Sequence, residues 1–168
     1  MLGIITAAWC APAPQTEAQL HQRIQAQQNP VKKAKDEIKL SRLKLAEVED
    51  AYSKGKTEQG AKLLGALVGE MKGSWKLLQN SGRIASKQPD GFRELEIALR
   101  EHARALQDLE RRVSYFDRAP LTNAAQEFEQ MRSEVLQELF PDDKTRNHKG
   151  ASAPQTVPNP GSSSAPVQ

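Results

Sequence analysis

The chain predicts an all-α fold: two long helical hairpins packed as an antiparallel four-helix bundle, flanked by N- and C-terminal segments expected to be disordered. Three observations lead there. Apolar residues recur in alternating steps of three and four over four separate stretches, and turn residues stand between those stretches. Aromatic residues make up only 5% of the 168 residues, so a core has to come from Leu, Ala, Val and Ile, which suits helix-on-helix packing. Runs of alternating β-branched residues joined by hairpin dipeptides are missing from the sequence.

The first strong helix is expected from Asn29 to about Lys54. Asn29 followed by Pro30 is a start signal, because Asn accepts from first-turn amides and Pro lacks the amide that would be left unpaired. Its seam is Val31, Ala34, Ile38, Ser41, Leu45, Val48 and Tyr52, widened by Leu40 and Leu43, and Gly55 ends it in the position where a left-handed cap favours glycine. Thr57 is the expected cap of a second helix with the seam Ala61, Leu64, Leu67 or Val68, Met71, Trp75 and Leu78. Gly82 closes or bends it, and residues 83–91 read as a turn, with Asp90 available to cap the next helix. The third helix carries the most regular coiled-coil-like seam, Phe92, Leu95, Leu99, Leu106, Leu109, Val113 and Phe116, interrupted only by His102. After a break at 117–120, Leu121, Ala124, Phe128, Met131, Val135 and Leu139 define a fourth helix that stops at Pro141.

Four segments follow from this reading: a signal peptide at 1–14, a linker of weak helical tendency at 15–28, the bundle at 29–140, and a disordered Pro/Ser-rich tail at 141–168. The opening MLGIITAAWCAPA is apolar and uncharged apart from its amine, like the hydrophobic and cleavage portions of a secretory signal. It lacks the basic n-region and its apolar run is short, departures that a start assigned too far downstream accounts for. Export to the periplasm or beyond the cell is the expectation, with a cytoplasmic location if the segment is not a signal. Trp9 before the single Cys10 disfavours lipidation, and no stretch approaches the eighteen apolar residues of a membrane span.

Net charge is +3 with a pI near 9.0, but the charge is divided. Residues 29–88 carry 13 Lys and Arg against 7 Asp and Glu, and residues 89–140 carry 7 against 11. Halves of opposite sign attract one another within a fold, or the basic half meets an anionic partner. The basic stretch is densest at Lys32, Lys33, Lys35 and Lys39, continuing to Arg42 and Lys44. No aromatic platform or recognition motif accompanies it, so a cytosolic nucleic-acid-associated protein is an alternative rather than the leading expectation.

The second helix holds a peculiarity: Gly60, Gly65, Gly69 and Gly73, the last three stacked on one face. Each interior glycine weakens a helix by about 0.8 to 1 kcal/mol relative to alanine. Gly65, Gly69 and Gly73 are therefore expected either to admit a closely approaching helix or to lie on a tolerant solvent face. No catalytic constellation is present. His21, His102 and His148 are scattered, there is no Cys-x-x-Cys-His, and His102 has no Glu three residues before it for a carboxylate di-metal site. No cofactor is expected; a ligand- or cofactor-binding bundle centred on His102, with Met71 or Met131 facing it, is the alternative.

Ala51, Tyr52, Ser53, Lys54 and Gly55, with Gly60, Ala66 and Leu67, resemble the turn of a tetratricopeptide hairpin over residues 46–67, although only one unit is visible. The segment from Ser81 to Leu109, with Gly82, Arg83, Pro89, Gly91, Phe92 and the run Leu95 to Glu101, resembles a group of short, uncharacterised, exported bacterial helical proteins. That resemblance implies fold and export and supplies no chemistry. The expected role is that of a non-enzymatic exported protein in protein–protein interaction or scaffolding, meeting a protein partner or a second copy through its helix faces, with Gly65, Gly69, Gly73, Lys32, Lys33, Lys35 and Lys39 as the candidate surface.

Overall fold

Asn29 begins the main fold as its sequence suggests. Its Oδ1 accepts from the amides of Val31 and Lys32, both at 3.1 Å, with Pro30 at the first helical position. The computed structural model describes residues 16–141, so the expected leader at 1–14 and all of the expected tail beyond Pro141 lie outside the described residues. Within that range helix α1 (Glu17–Ala26) precedes α2 (Pro30–Ser53), α3 (Thr57–Gln79), α4 (Phe92–Glu110), a single 3-10 turn at Tyr115–Asp117, and α5 (Arg118–Leu139). The fold is all-α, with five helices; α2 packs on α3 and α4 on α5 as hairpins, which meet through α3 on α5 and α2 on α4.

The α2–α3 turn is closed by Gly55 at φ +72°, where the amides of Gly55 and Lys56 bond back to the carbonyls of Tyr52 and Ala51. This paired pattern satisfies the last carbonyls of α2 and requires the left-handed conformation glycine provides. It leaves only Lys54, Gly55 and Lys56 between the helices. Thr57, expected as a cap, is therefore already the first residue of α3, and no side chain caps that end. The expected core seams are buried, apart from half-buried Leu45 and Ala61, exposed Leu43, and Val113 and Phe116 at the end of the third seam, and the core is continuous from Val31 and Ile38 through Leu67, Leu99 and Phe128 to Val135.

Two expectations about α4 need correction. Asp90 does not cap it: Gly91 holds the cap position at φ +90°, its amide donating to Glu94 Oε2 at 2.7 Å, while Asp90 turns to Lys35. The backbone reversal lies one residue later than Asp90, under Leu78 and Val31, where no Cβ fits. Nor does the seam continue as helix to Phe116. The helix stops at Glu110, Val113 is half-buried against the core, and Tyr115 and Phe116 face solvent at 78% and 89% exposure. Ser114 is extended, at φ −57° and ψ 149°. The chain can turn this early because Pro120 falls inside the first turn of α5, where helix amides lack partners anyway, and so does not mark the break.

The segment expected as a linker contains α1, a complete helix. Thr16 Oγ1 accepts from the Gln19 amide and the Gln19 side chain accepts from the Thr16 amide, a capping box written in the sequence as Thr-Glu-Ala-Gln. α1 folds back on α2, Leu20 and Leu40 are buried outside the main core, and Arg23 Nη2 donates to the buried Asp36 Oδ1 at 3.0 Å. Burying one Leu contributes about 1.5 to 3 kcal/mol, whereas ordering each residue costs about 1 to 2 kcal/mol of backbone entropy, so α1 depends on each anchor. In Arg23→Ala, loss of a half-exposed guanidinium is expected to weaken α1 docking by about 1 kcal/mol. Hydrogen exchange should then quicken several-fold across 17–26 and stay unchanged in α3 and α5.

Candidate interaction surfaces and the buried histidine

The basic run on α2 is largely satisfied inside the fold. Lys35 pairs with Asp90 and, at 2.8 Å, with Glu94; Arg42 pairs with Glu101 at 3.0 Å. Positions 35 and 42 are seven apart, as are 94 and 101, so α2 and α4 run parallel along this face at constant register. The hydrogen bond to Asp90 is the chief cause that raises the Lys35 ammonium above its ordinary value, and the same bond lowers the Asp90 carboxyl. Lys39 stands 3.5 Å from Asp36, and Lys44 pairs with Glu70 on α3. Lys33 is half-buried and acts on the neighbouring Glu37, whose carboxyl is raised by burial despite a 2.9 Å hydrogen bond donated by Ser74. Lys32 is exposed. The four candidate lysines thus do not make one free cationic face, because their acidic complements come from α4 and from α2 itself.

The glycine row divides differently. A Cβ at Gly65 or Gly69 would meet nothing within 4 Å, and at Gly73 it would only touch Glu37 Oε2 at 3.9 Å. Close approach belongs instead to Gly60, where a Cβ would stand 2.6 Å from the Tyr52 ring. The open part of α3 borders a groove against α5 lined by Leu64, Val68, Pro120 and Ala124, crossed by the Lys72–Glu127 ion pair at 2.6 Å. Beyond that pair lie Trp75 and Met131, with Trp75 Nε1 donating to Glu134 Oε2 at 3.0 Å. With no neighbour to displace, Gly65→Ala combined with Gly69→Ala should stabilise the isolated protein by about 1 to 2 kcal/mol. A thermal melt should show a rise of a few degrees; a fall would mean that a side chain at these positions meets the rest of the fold.

His102 is fully buried on α4, packed edge-on against Phe128 with centroids 5.7 Å apart, and its Nε2 lies 3.0 Å from Ser41 Oγ on α2. Ser41 donates its only hydroxyl proton to the Ile38 carbonyl at 2.8 Å. With that proton on the Ile38 carbonyl the hydroxyl accepts from His102 Nε2–H; in either tautomer buried Nδ1 has no hydrogen-bond partner among the described residues. Burial, reinforced by the charge of Arg42 and opposed by Glu101 and the Ser41 contact, lowers its pKa to about 4. Such a ring ties α2 to α4 and stays uncharged at neutral pH. Among the described residues no group of three or more His, Cys, Asp or Glu could hold a metal ion, and no helix is long and apolar enough to cross a membrane.

A surface that the seam reading misplaced lies at one end of the molecule. Tyr115 and Phe116 pack edge to face, centroids 5.9 Å apart, on the turn between α4 and α5. The α2–α3 turn reaches the same end. The α2–α4 register carries residue 54 to the level of 113, and Asp117 lies near enough to Tyr52 to add to the effect of burial in raising its phenol. The resulting class is a helical protein whose buried Asp36, Ser41, Ser74 and His102 each make a hydrogen bond within the fold, with a smooth helix face and an aromatic tip among its open features. Comparison with protein-family models, curated proteins and solved structures finds no match.

Proposed function

We propose that this chain is a non-enzymatic interaction or scaffolding protein, an antiparallel four-helix bundle braced by α1, that binds a protein partner or a second copy through the outer face of α3. The observation that carries this reading is the open backbone at Gly65 and Gly69. Two interior glycines weaken α3 without relieving any contact inside the fold, and a smooth strip of backbone is what close helix-to-helix approach from outside requires. The adjoining groove supplies apolar walls at Val68 and Ala124 and fixed charges at Lys72 and Glu127.

Export is part of the proposal and rests on the apolar Met1–Ala13 segment and on the resemblance to short exported helical proteins; sequencing the N-terminus of protein from its native compartment tests it. The binding face is tested by copurification of the full chain from its native host, wild type beside Gly69→Leu. Since a Cβ at 69 meets nothing within 4 Å and the position is exposed, the variant should melt no lower than wild type yet lose its bound protein. Retention of the same bound protein at wild-type levels would exclude this face.

A further inference from the structure

We infer that in the full chain the apolar Met1–Ala13 segment docks back on the ring pair of Tyr115 and Phe116 and covers it. The rings are the two most exposed large apolar side chains described, at 78% and 89%, and stand edge to face. Charge does not select what meets them. The turns at 54–57 and 111–118 hold five cations, but along the chain an acid stands within one turn of each, and Lys54–Asp50 and Arg111–Asp108 are ion pairs. A charge-balanced surface around two bare rings fits an occupant that is apolar and uncharged. Met1–Ala13 has that chemistry: it contains no Asp, Glu, Lys, Arg or His, and it carries Leu2, Ile4, Ile5 and Trp9.

The direction of α1 supports this occupant. The Arg23–Asp36 contact sets α1 antiparallel to α2, so Thr16 lies level with Leu43, itself 38% exposed, and the chain before it departs toward the end that carries the rings. The α2–α4 register set by Lys35–Glu94 and Arg42–Glu101 puts Val113 level with residue 54, about 16 Å beyond Leu43 at about 1.5 Å per residue. Crossing the bundle adds about two helix diameters, roughly 20 to 24 Å. The residues before Thr16 reach about 50 Å when extended, which brings Leu2, Ile4 and Ile5 within range of the rings. The other segment outside the described residues, 142–168, begins at the opposite end, past Leu139, about 30 Å away along α5. It also holds no Leu, Ile, Met or aromatic residue with which to cover a ring. Cutting the leader on export would bare the pair; the inference concerns the uncut chain and does not depend on the reading of the α3 face.

The single Cys10 lies inside the segment and makes the test direct. A nitroxide spin label on Cys10 of the isotope-labelled full chain should remove most of the intensity of the amide signals of residues 114–117, relative to the same sample with the label reduced. Signals of residues 84–90, at the other end, should keep theirs. Tyr115→Ser with Phe116→Ser should restore the lost intensity. So should Ile4→Ser with Ile5→Ser, a pair that changes no described residue and therefore leaves the bundle as it is. Signals of 114–117 undimmed by the label, or dimmed as strongly in both serine variants as in wild type, would overturn the inference. A mixture of spin-labelled chain without isotope and isotope-labelled Cys10→Ser chain distinguishes the remaining occupant. Residues 114–117 should stay sharp in that mixture; loss of intensity there would put a second copy's segment on the rings and overturn docking within one chain.

Discussion

Gly91→Ala is expected to be the most damaging single-methyl change in the molecule, a loss of about 2 to 5 kcal/mol. Two independent penalties meet at this residue. Its backbone sits at φ +90°, a region costing an L-residue about 1 to 2 kcal/mol. Its added Cβ would also stand 2.7 Å from Leu78 Cδ2 and 3.0 Å from Val31 Cγ1, both fully packed, and overpacking of that kind costs about 1 to 3 kcal/mol. Against a total stability of about 5 to 15 kcal/mol this is a large share. Urea denaturation should show a midpoint well below wild type with a similar slope. A shift as small as that of an exposed Gly55→Ala control, which has strain but no clash, would mean that Leu78 and Val31 yield easily.

The second large effect is a loss of stability in acid that one residue controls. His102 has a pKa near 4 in the fold against 6.5 when free, so between those values the unfolded chain binds the proton and the native chain does not. Stability is therefore fully present above about pH 6.5 and falls as the pH is lowered, by about 3 kcal/mol on reaching pH 4. Glu37 works in the opposite direction, because its carboxyl is raised by burial and protonation relieves it; comparison with a variant separates the two. His102→Leu leaves Ser41 bonded to the Ile38 carbonyl and removes the unpartnered Nδ1. Its stability at pH 7 should be within about 1 kcal/mol of wild type, while near pH 4.5 it should be the more stable by about 2 to 3 kcal/mol. Parallel stability profiles for the two proteins across this range would show that the ring does not stay neutral in the fold.

Much of the fold was legible because helical burial is periodic. Every expected seam residue of the fourth helix is buried, and Asn29, Pro30 and Gly55 mark the bounds of α2 within a residue or two. Where reading failed, a local cue competed with the period. Val113 and Phe116 continue the spacing of the α4 seam in sequence, but Ser114 is extended and the adjacent Tyr115 and Phe116 turn outward. The capping box at Thr16 and Gln19 was present in the sequence and outweighed by the Gln-rich composition around it. Asp90 was chosen as a cap by residue type, whereas tertiary packing of Leu78 and Val31 over Gly91 and the pull of Lys35 on Asp90 decide the matter.

The candidate site was legible by position and less so by surroundings. His102 lies on its seam as read, but its tautomer and its bond to Ser41 depend on the register of α2 against α4. The lysines stand together in sequence, yet Lys35 and Arg42 belong to a face whose acids, at 94 and 101, are far away along the chain. Matching seven-residue spacings on two predicted helices of opposite charge were the available clue. For the glycines, spacing alone put Gly65, Gly69 and Gly73 in one class, and only three-dimensional neighbours separate them from Gly60, which lies under Tyr52.

The outer face of α3 as a binding surface is tested most directly by amide hydrogen exchange across residues 61–76, in the protein alone and bound to the protein that copurifies with it. The expected result is slower exchange in the complex centred on Gly65 and Gly69, with α2 unchanged. Exchange unaltered there and slowed at another surface, such as residues 111–118, would contradict it.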